Sequence, residues 1–80
     1  MSPTEPIIVE ARGHRCPVPA LRLRQALAAA PPGTVVRLLT DDPLARIDVP
    51  HMLGQAGHEL VEIEDQADLL VITARAGLPG

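Results

Sequence analysis

The chain contains no phenylalanine, tyrosine or tryptophan. Its core must therefore be built from Leu, Ile, Val and Ala. It also lacks the aromatic platform on which single-stranded nucleic-acid binders stack bases. Lysine is absent too, so all seven basic side chains are arginines, and ten acidic residues bring the formal net charge to −3. That balance further weakens any case for direct RNA or DNA binding. No apolar run approaches the ~20 residues needed to span a bilayer, and no membrane partner is expected. The opening Met-Ser-Pro-Thr-Glu-Pro has neither the basic start nor the apolar stretch of a secretory signal. Cysteine occurs once. A disulfide within the chain is excluded, and a lone thiol without an export signal fits a reducing cytoplasm. One cysteine with His14, His51 and His58 does not show the paired spacing of a zinc site, so no metal is expected.

What is present organises as a single domain over residues 1–80, with a core at about 7–75 and loose tails at residues 1–5 and 77–80. Residues 7–11 are short, apolar and β-branched, which predicts a buried strand. Arg12, Gly13, His14 and Arg15 form a loop. A helix begins near Pro17, because proline is tolerated where amides have no intrahelical partner, but Val18 precedes a proline, so the first regular turn is expected only at Pro19. Ala20, Leu23, Leu27 and Ala30 share one face, flanked by Arg22 and Arg24. Residues 34–40 predict a second strand, and the two acids before Pro43 a turn. Asp48 suits the N-cap of a short helix carrying Val49, Met52, Leu53 and Ala56, with Gly57 as terminator. Residues 59–64 alternate Val61 and Ile63 with acids, the pattern of a strand with one wet face. Residues 68–75 complete the set. The order β-α-β-α-β-β implies an α/β domain of the α+β type, a two-layer sandwich with both helices on one face of a four-stranded mixed sheet.

The chemistry points to Cys16. It stands between Arg15 and a proline-bounded helix start, where the positive end of the helix dipole favours the thiolate. Arg15 would add to this, with Arg12 and Arg22 nearby. Pro17 and Pro19 remove amide hydrogens and stiffen the loop, so that the thiol projects from it. A lone cysteine is more often a small buried hydrophobe, but this polar context argues for an exposed nucleophile. His14, two residues before Cys16, is a candidate local base or cation, though such a loop histidine is more often merely exposed. Asp41 and Asp42 look like a carboxylate pair, but acids beside a proline are usually turn formers. The arginine-rich early stretch contrasts with Glu59, Glu62, Glu64, Asp65 and Asp68 late in the chain. It predicts either two solvated faces or a basic face meeting an acidic partner.

Residues 12–19, with their Cys-Pro-x-Pro core at Cys16, Pro17, Val18 and Pro19, resemble the signature of the TusA/SirA-like sulfur carrier family. The resemblance continues through Ala26-Leu27, Pro32-Gly33, Asp42-Pro43, Asp48-Val49-Pro50 and Gly57-His58-Glu59-Leu60. It implies a persulfide on Cys16, accepted from a cysteine desulfurase or rhodanese-like donor and passed to an acceptor protein. The destinations it implies are tRNA thiolation, molybdenum cofactor synthesis or sulfur oxidation. The chain would be a sulfurtransferase-type carrier rather than an enzyme acting alone, with no cofactor. Arg12, Arg15, Arg22, Arg24 and His14 would stabilise the thiolate or dock partners, and Gly13, Pro17 and Pro19 would shape the loop. The chain departs from the family pattern at His14, usually apolar there. It departs again at Leu53, where many members carry a second cysteine, and in having arginine rather than lysine along the first helix. The rival readings are a regulatory protein-binding module and a thiol redox sensor.

Overall fold

A computed structural model describes residues 6–15 and 17–77. Six elements follow the expected order: β1 (Ile7–Glu10), α1 (Val18–Ala29), β2 (Val35–Thr40), α2 (Ala45–Ala56), β3 (Glu59–Gln66) and β4 (Leu69–Arg75). The strands form one sheet in the order β1-β2-β4-β3. β1 runs parallel to β2, while β4 is antiparallel to both β2 and β3. β3 is therefore parallel to β2, and each helix returns the chain between two parallel strands. Both helices consequently start at the sheet end where β1 and β2 finish.

Strand alternation separates the two faces. Val36 and Leu38 of β2 pair with Ala74 and Ile72 of β4, and all four are fully buried under Leu23, Leu27, Val49 and Leu53 of the helices. The opposite face carries Arg37, Leu39 and Val71, which keep solvent contact. The core is aliphatic throughout, as the missing aromatics require.

Several expectations change. β1 is not buried: it is an edge strand, with Ile7 and Ile8 about half exposed. α1 starts at Val18, with Pro19 in its first turn, and Ala30 is its C-cap rather than part of the buried stripe, which is Pro19, Ala20, Leu23 and Leu27. α2 begins three residues before Asp48. Leu44 is its N-cap, without a side-chain cap, and Asp42 orders the turn before it: its Oδ1 accepts the Leu44 N–H at 3.1 Å, and its carbonyl accepts the Ala45 N–H at 3.0 Å. Asp48 sits in the first turn, where a carboxylate complements the dipole. Gly57 ends α2 in the left-handed conformation, and His58 N–H closes onto the Leu53 carbonyl.

In β3 the register shifts between Leu60 and Glu62, so that Val61 is the extra residue of a bulge. Leu60 and Ile63, not Val61 and Ile63, then oppose the inward-facing Ala74 and Ile72. The acids along this edge strand oppose pairing with another sheet, and Glu59 and Asp65 are met by Arg75 and Arg46. Gly77 is not loose. Its N–H donates to His58 Nδ1 at 2.9 Å, and the adjacent Ala76 bonds both Thr34 and Gly33. Residues 1–5 and 78–80 lie outside the described residues. No helix among the described residues is long and apolar enough to cross a membrane.

Candidate functional site

The segment joining β1 to α1 carries the cysteine position. Ala11, fully buried, extends the parallel ladder by donating its N–H to the Leu39 carbonyl at 2.8 Å. The chain then turns tightly over Arg12 and Gly13, closed by His14 N–H to the Ala11 carbonyl at 3.3 Å. Gly13 takes a φ of +85°, a region that side-chain-bearing residues rarely adopt. At the far end, Val18 N–H donates to the Arg15 carbonyl at 2.9 Å, and Leu21 N–H to the Pro17 carbonyl at 3.0 Å, so α1 opens directly behind position 16. Cys16 itself lies outside the described residues; its neighbours Arg15 and Pro17 are both exposed.

The charged residues named from the sequence make different contacts. Arg12 is forked onto Glu10, with Nε 2.8 Å from Oε1 and Nη2 3.0 Å from Oε2. Those bonds, with the Arg12 backbone N–H also donating to Oε1, hold the Glu10 carboxyl below the usual carboxylate range. They also raise Arg12, to which nearby Asp41 adds a smaller push. The sequence stretch free of acids thus acquires one from the strand before it. Arg22 Nη1 lies 3.4 Å from His14 Nε2. A guanidinium has no acceptor, so the imidazole nitrogen accepts, and the contact ties the loop to the second turn of α1. Arg15 is exposed beside position 16. Arg24 lies elsewhere, lining a small cleft of about 90 Å³ with Met52, Gln55 and Ala56 of α2.

The two adjacent acids after β2 divide their work. Asp42, 2% exposed, serves the turn and the start of α2. Asp41 is exposed, and its Oδ1 accepts the Gly13 N–H at 3.0 Å across 28 residues of sequence. Sequence reasoning reads it only as a turn former. An acid pair before a proline reads as turn chemistry, and only the tertiary structure shows that one member suffices for the turn. Asp41 also borders an open cleft of about 440 Å³, shared with Pro43, Arg46, Asp65 and Asp68, at the same end of the sheet.

These features define a class: a small two-layer sandwich that presents one cysteine-bearing loop at the end where both helices begin. Comparison with known proteins then narrows it. The family model for Sulfurtransferase TusA matches residues 7–75. The chain is 36% identical over 59 residues to a sulfur carrier protein TusA of Pseudomonas fluorescens, covering 74% of this chain and 71% of that one. It is 35% identical over 66 residues to a sulfur carrier protein TusA of Pseudomonas paraeruginosa, covering 80% and 84% respectively. Among solved structures, a SirA-like protein of Desulfitobacterium hafniense superposes with a TM-score of 0.76 at 30% identity, over 90% of this chain and 99% of that one. The chain belongs to the TusA sulfurtransferase family, whose named relatives are sulfur carriers.

Proposed function

We propose that Cys16 carries sulfur as a persulfide and relays it between two partner proteins. The observation that carries this reading is the setting of position 16: its described neighbours, residues 12–15 and 17–18, are exposed, and α1 opens behind them with no acid in its first turn. The positive end of that helix and the guanidinium groups of Arg15 and Arg22 favour a thiolate there. Arg12 adds less, because Glu10 compensates its charge. Arg24, set along the groove between the helices, suits partner contact.

In loading, the Cys16 thiolate attacks the outer sulfur of a donor persulfide. A new S–S bond forms as the donor's S–S bond breaks, and the donor cysteine leaves as thiolate. In delivery, an acceptor thiolate attacks the outer sulfur on Cys16, and Cys16 is the leaving group. Both steps are exchanges and consume no oxidant or reductant. The donor is a cysteine desulfurase or a rhodanese-like protein. The acceptor is a protein cysteine serving tRNA thiolation, molybdenum cofactor synthesis or sulfur oxidation, and the relay runs in the cytoplasm. The other position where the family resemblance would allow a thiol is Leu53, which is buried in the core, so the sulfur must leave the chain. The test is incubation with a cysteine desulfurase and cysteine. Intact-mass spectrometry should show one added sulfur atom on the wild type and none on Cys16→Ser. No adduct with several competent donors would contradict the reading.

A further inference from the structure

The described part of the cysteine loop has almost no apolar anchorage. Between buried Ala11 and buried Pro19, residues 12–15, 17 and 18 are all exposed. A segment that must meet a partner's persulfide in one orientation therefore cannot rely on packing and needs polar ties. Besides the backbone bonds that close its two ends, two side-chain ties come from close by: the forked Arg12–Glu10 pair and the Arg22–His14 contact. The third is Asp41. Its backbone is fixed on both sides, since Thr40 is fully buried, Asp42 is 2% exposed, and Thr40 Oγ1 accepts the Asp42 N–H at 3.2 Å. Its carboxylate is thus an acceptor on a rigid mount. It meets the Gly13 N–H at 3.0 Å, at the residue whose φ of +85° sets the course of the loop. Asp42 already supplies the side-chain acceptor that the β2–α2 turn uses, at the Leu44 N–H, so the turn leaves Asp41 Oδ1 to the loop.

We infer that Asp41 is a positioning residue for sulfur transfer, holding the cysteine loop in register through its hydrogen bond to Gly13. The inference rests on the sulfur-carrier reading. It also makes the β2–α2 turn part of the transfer machinery.

Asp41→Ala and Asp41→Asn both remove the negative charge, but Asn keeps a carbonyl oxygen at the acceptor position. Comparing them isolates the hydrogen bond from the charge. The measurement is the rate at which a desulfurase persulfide loads Cys16, at a pH above the alkylation midpoint of each variant, with folding checked by thermal melting. Asp41→Ala should load about ten- to hundredfold more slowly, the range expected when a reacting group is misplaced, and Asp41→Asn should recover most of the rate. The pH midpoint for alkylation of Cys16 by iodoacetamide should be the same in both variants. Equal loading by Ala and Asn would overturn the inference, as would a rate difference fully accounted for by different alkylation midpoints. If the wild type takes no sulfur, the carrier reading falls, and the clamp is judged separately on the Gly13 amide. Its hydrogen exchange should rise about tenfold in Asp41→Ala and not in Asp41→Asn; equal exchange in the two variants would overturn the clamp as well.

Discussion

Gly13 and Gly33 form a matched pair that separates what the fold requires from what the site requires. Their φ angles are +85° and +89°, and a Cβ added at either meets no atom within 4 Å. Substitution by alanine therefore imposes the same backbone cost at both, without steric overlap. An L-residue in the left-handed region costs roughly 1–2 kcal/mol. Restricting the unfolded chain returns about 0.4–1 kcal/mol. The net loss should be about 1 kcal/mol at each position, or a fall in Tm of roughly 4–8 °C for a domain of this size. The positions differ in location. Gly33 precedes β2 at the end of the sheet remote from the loop, and bonds the Ala76 carbonyl at 2.8 Å. Gly13 lies in the loop itself, bonded to Asp41. Urea denaturation should show similar losses for Gly13→Ala and Gly33→Ala, while persulfide loading should slow in Gly13→Ala alone. Equal loading rates in the two variants would refute the assignment of this loop as the site. An unchanged stability in Gly13→Ala would refute the strained turn.

Three further outcomes follow from particular contacts. Glu10 has its folded-state value lowered chiefly by the Arg12 side chain, so the pair's stabilisation is present above the ordinary carboxylate range and lost as pH falls through the lowered value; an NMR titration should find the Glu10 midpoint depressed in the wild type and raised part of the way back in Arg12→Ala, which keeps the backbone N–H donor at that position. A Cβ on Gly77 would stand 1.9 Å from the Gly57 carbonyl oxygen, so Gly77→Ala should push the chain off His58 and cost about 1–2 kcal/mol of stability in urea denaturation. Leu53, 1% exposed between the helices and the sheet, should cost about 2–5 kcal/mol as Leu53→Ala by the same measurement, without altering sulfur loading of the folded fraction.

The order of elements was legible because each carries its own local pattern: β-branched runs at β1 and β2, a helical stripe through Leu23 and Leu27, and Gly57 at the end of α2. Features that depend on distant partners were not. The residues of β1 are apolar enough for a central strand, yet the sheet order places them at an edge, where Ile7 and Ile8 meet solvent. Asp48 is a good capping residue in isolation, but α2 opens three residues earlier, directly from the turn that the buried Asp42 holds. The bulge at Val61 exchanges which apolar residues stand opposite the buried positions of β4, and no alternation rule anticipates a skipped residue. At the site, the cysteine and its proline-bounded helix start could be read directly. The compensation of Arg12 by Glu10 and the reach of Asp41 to Gly13 needed the fold.

The central claim is that sulfur travels through Cys16, and following the atom tests it most directly. The wild type would be loaded from a desulfurase given isotopically labelled cysteine, separated from the donor and mixed with an acceptor protein, with the label read by mass spectrometry on both chains. The account predicts label on the peptide containing Cys16, then its loss from that peptide in step with its gain on the acceptor, and no label on either chain when Cys16→Ser replaces the wild type. Label reaching the acceptor equally well through Cys16→Ser would contradict it.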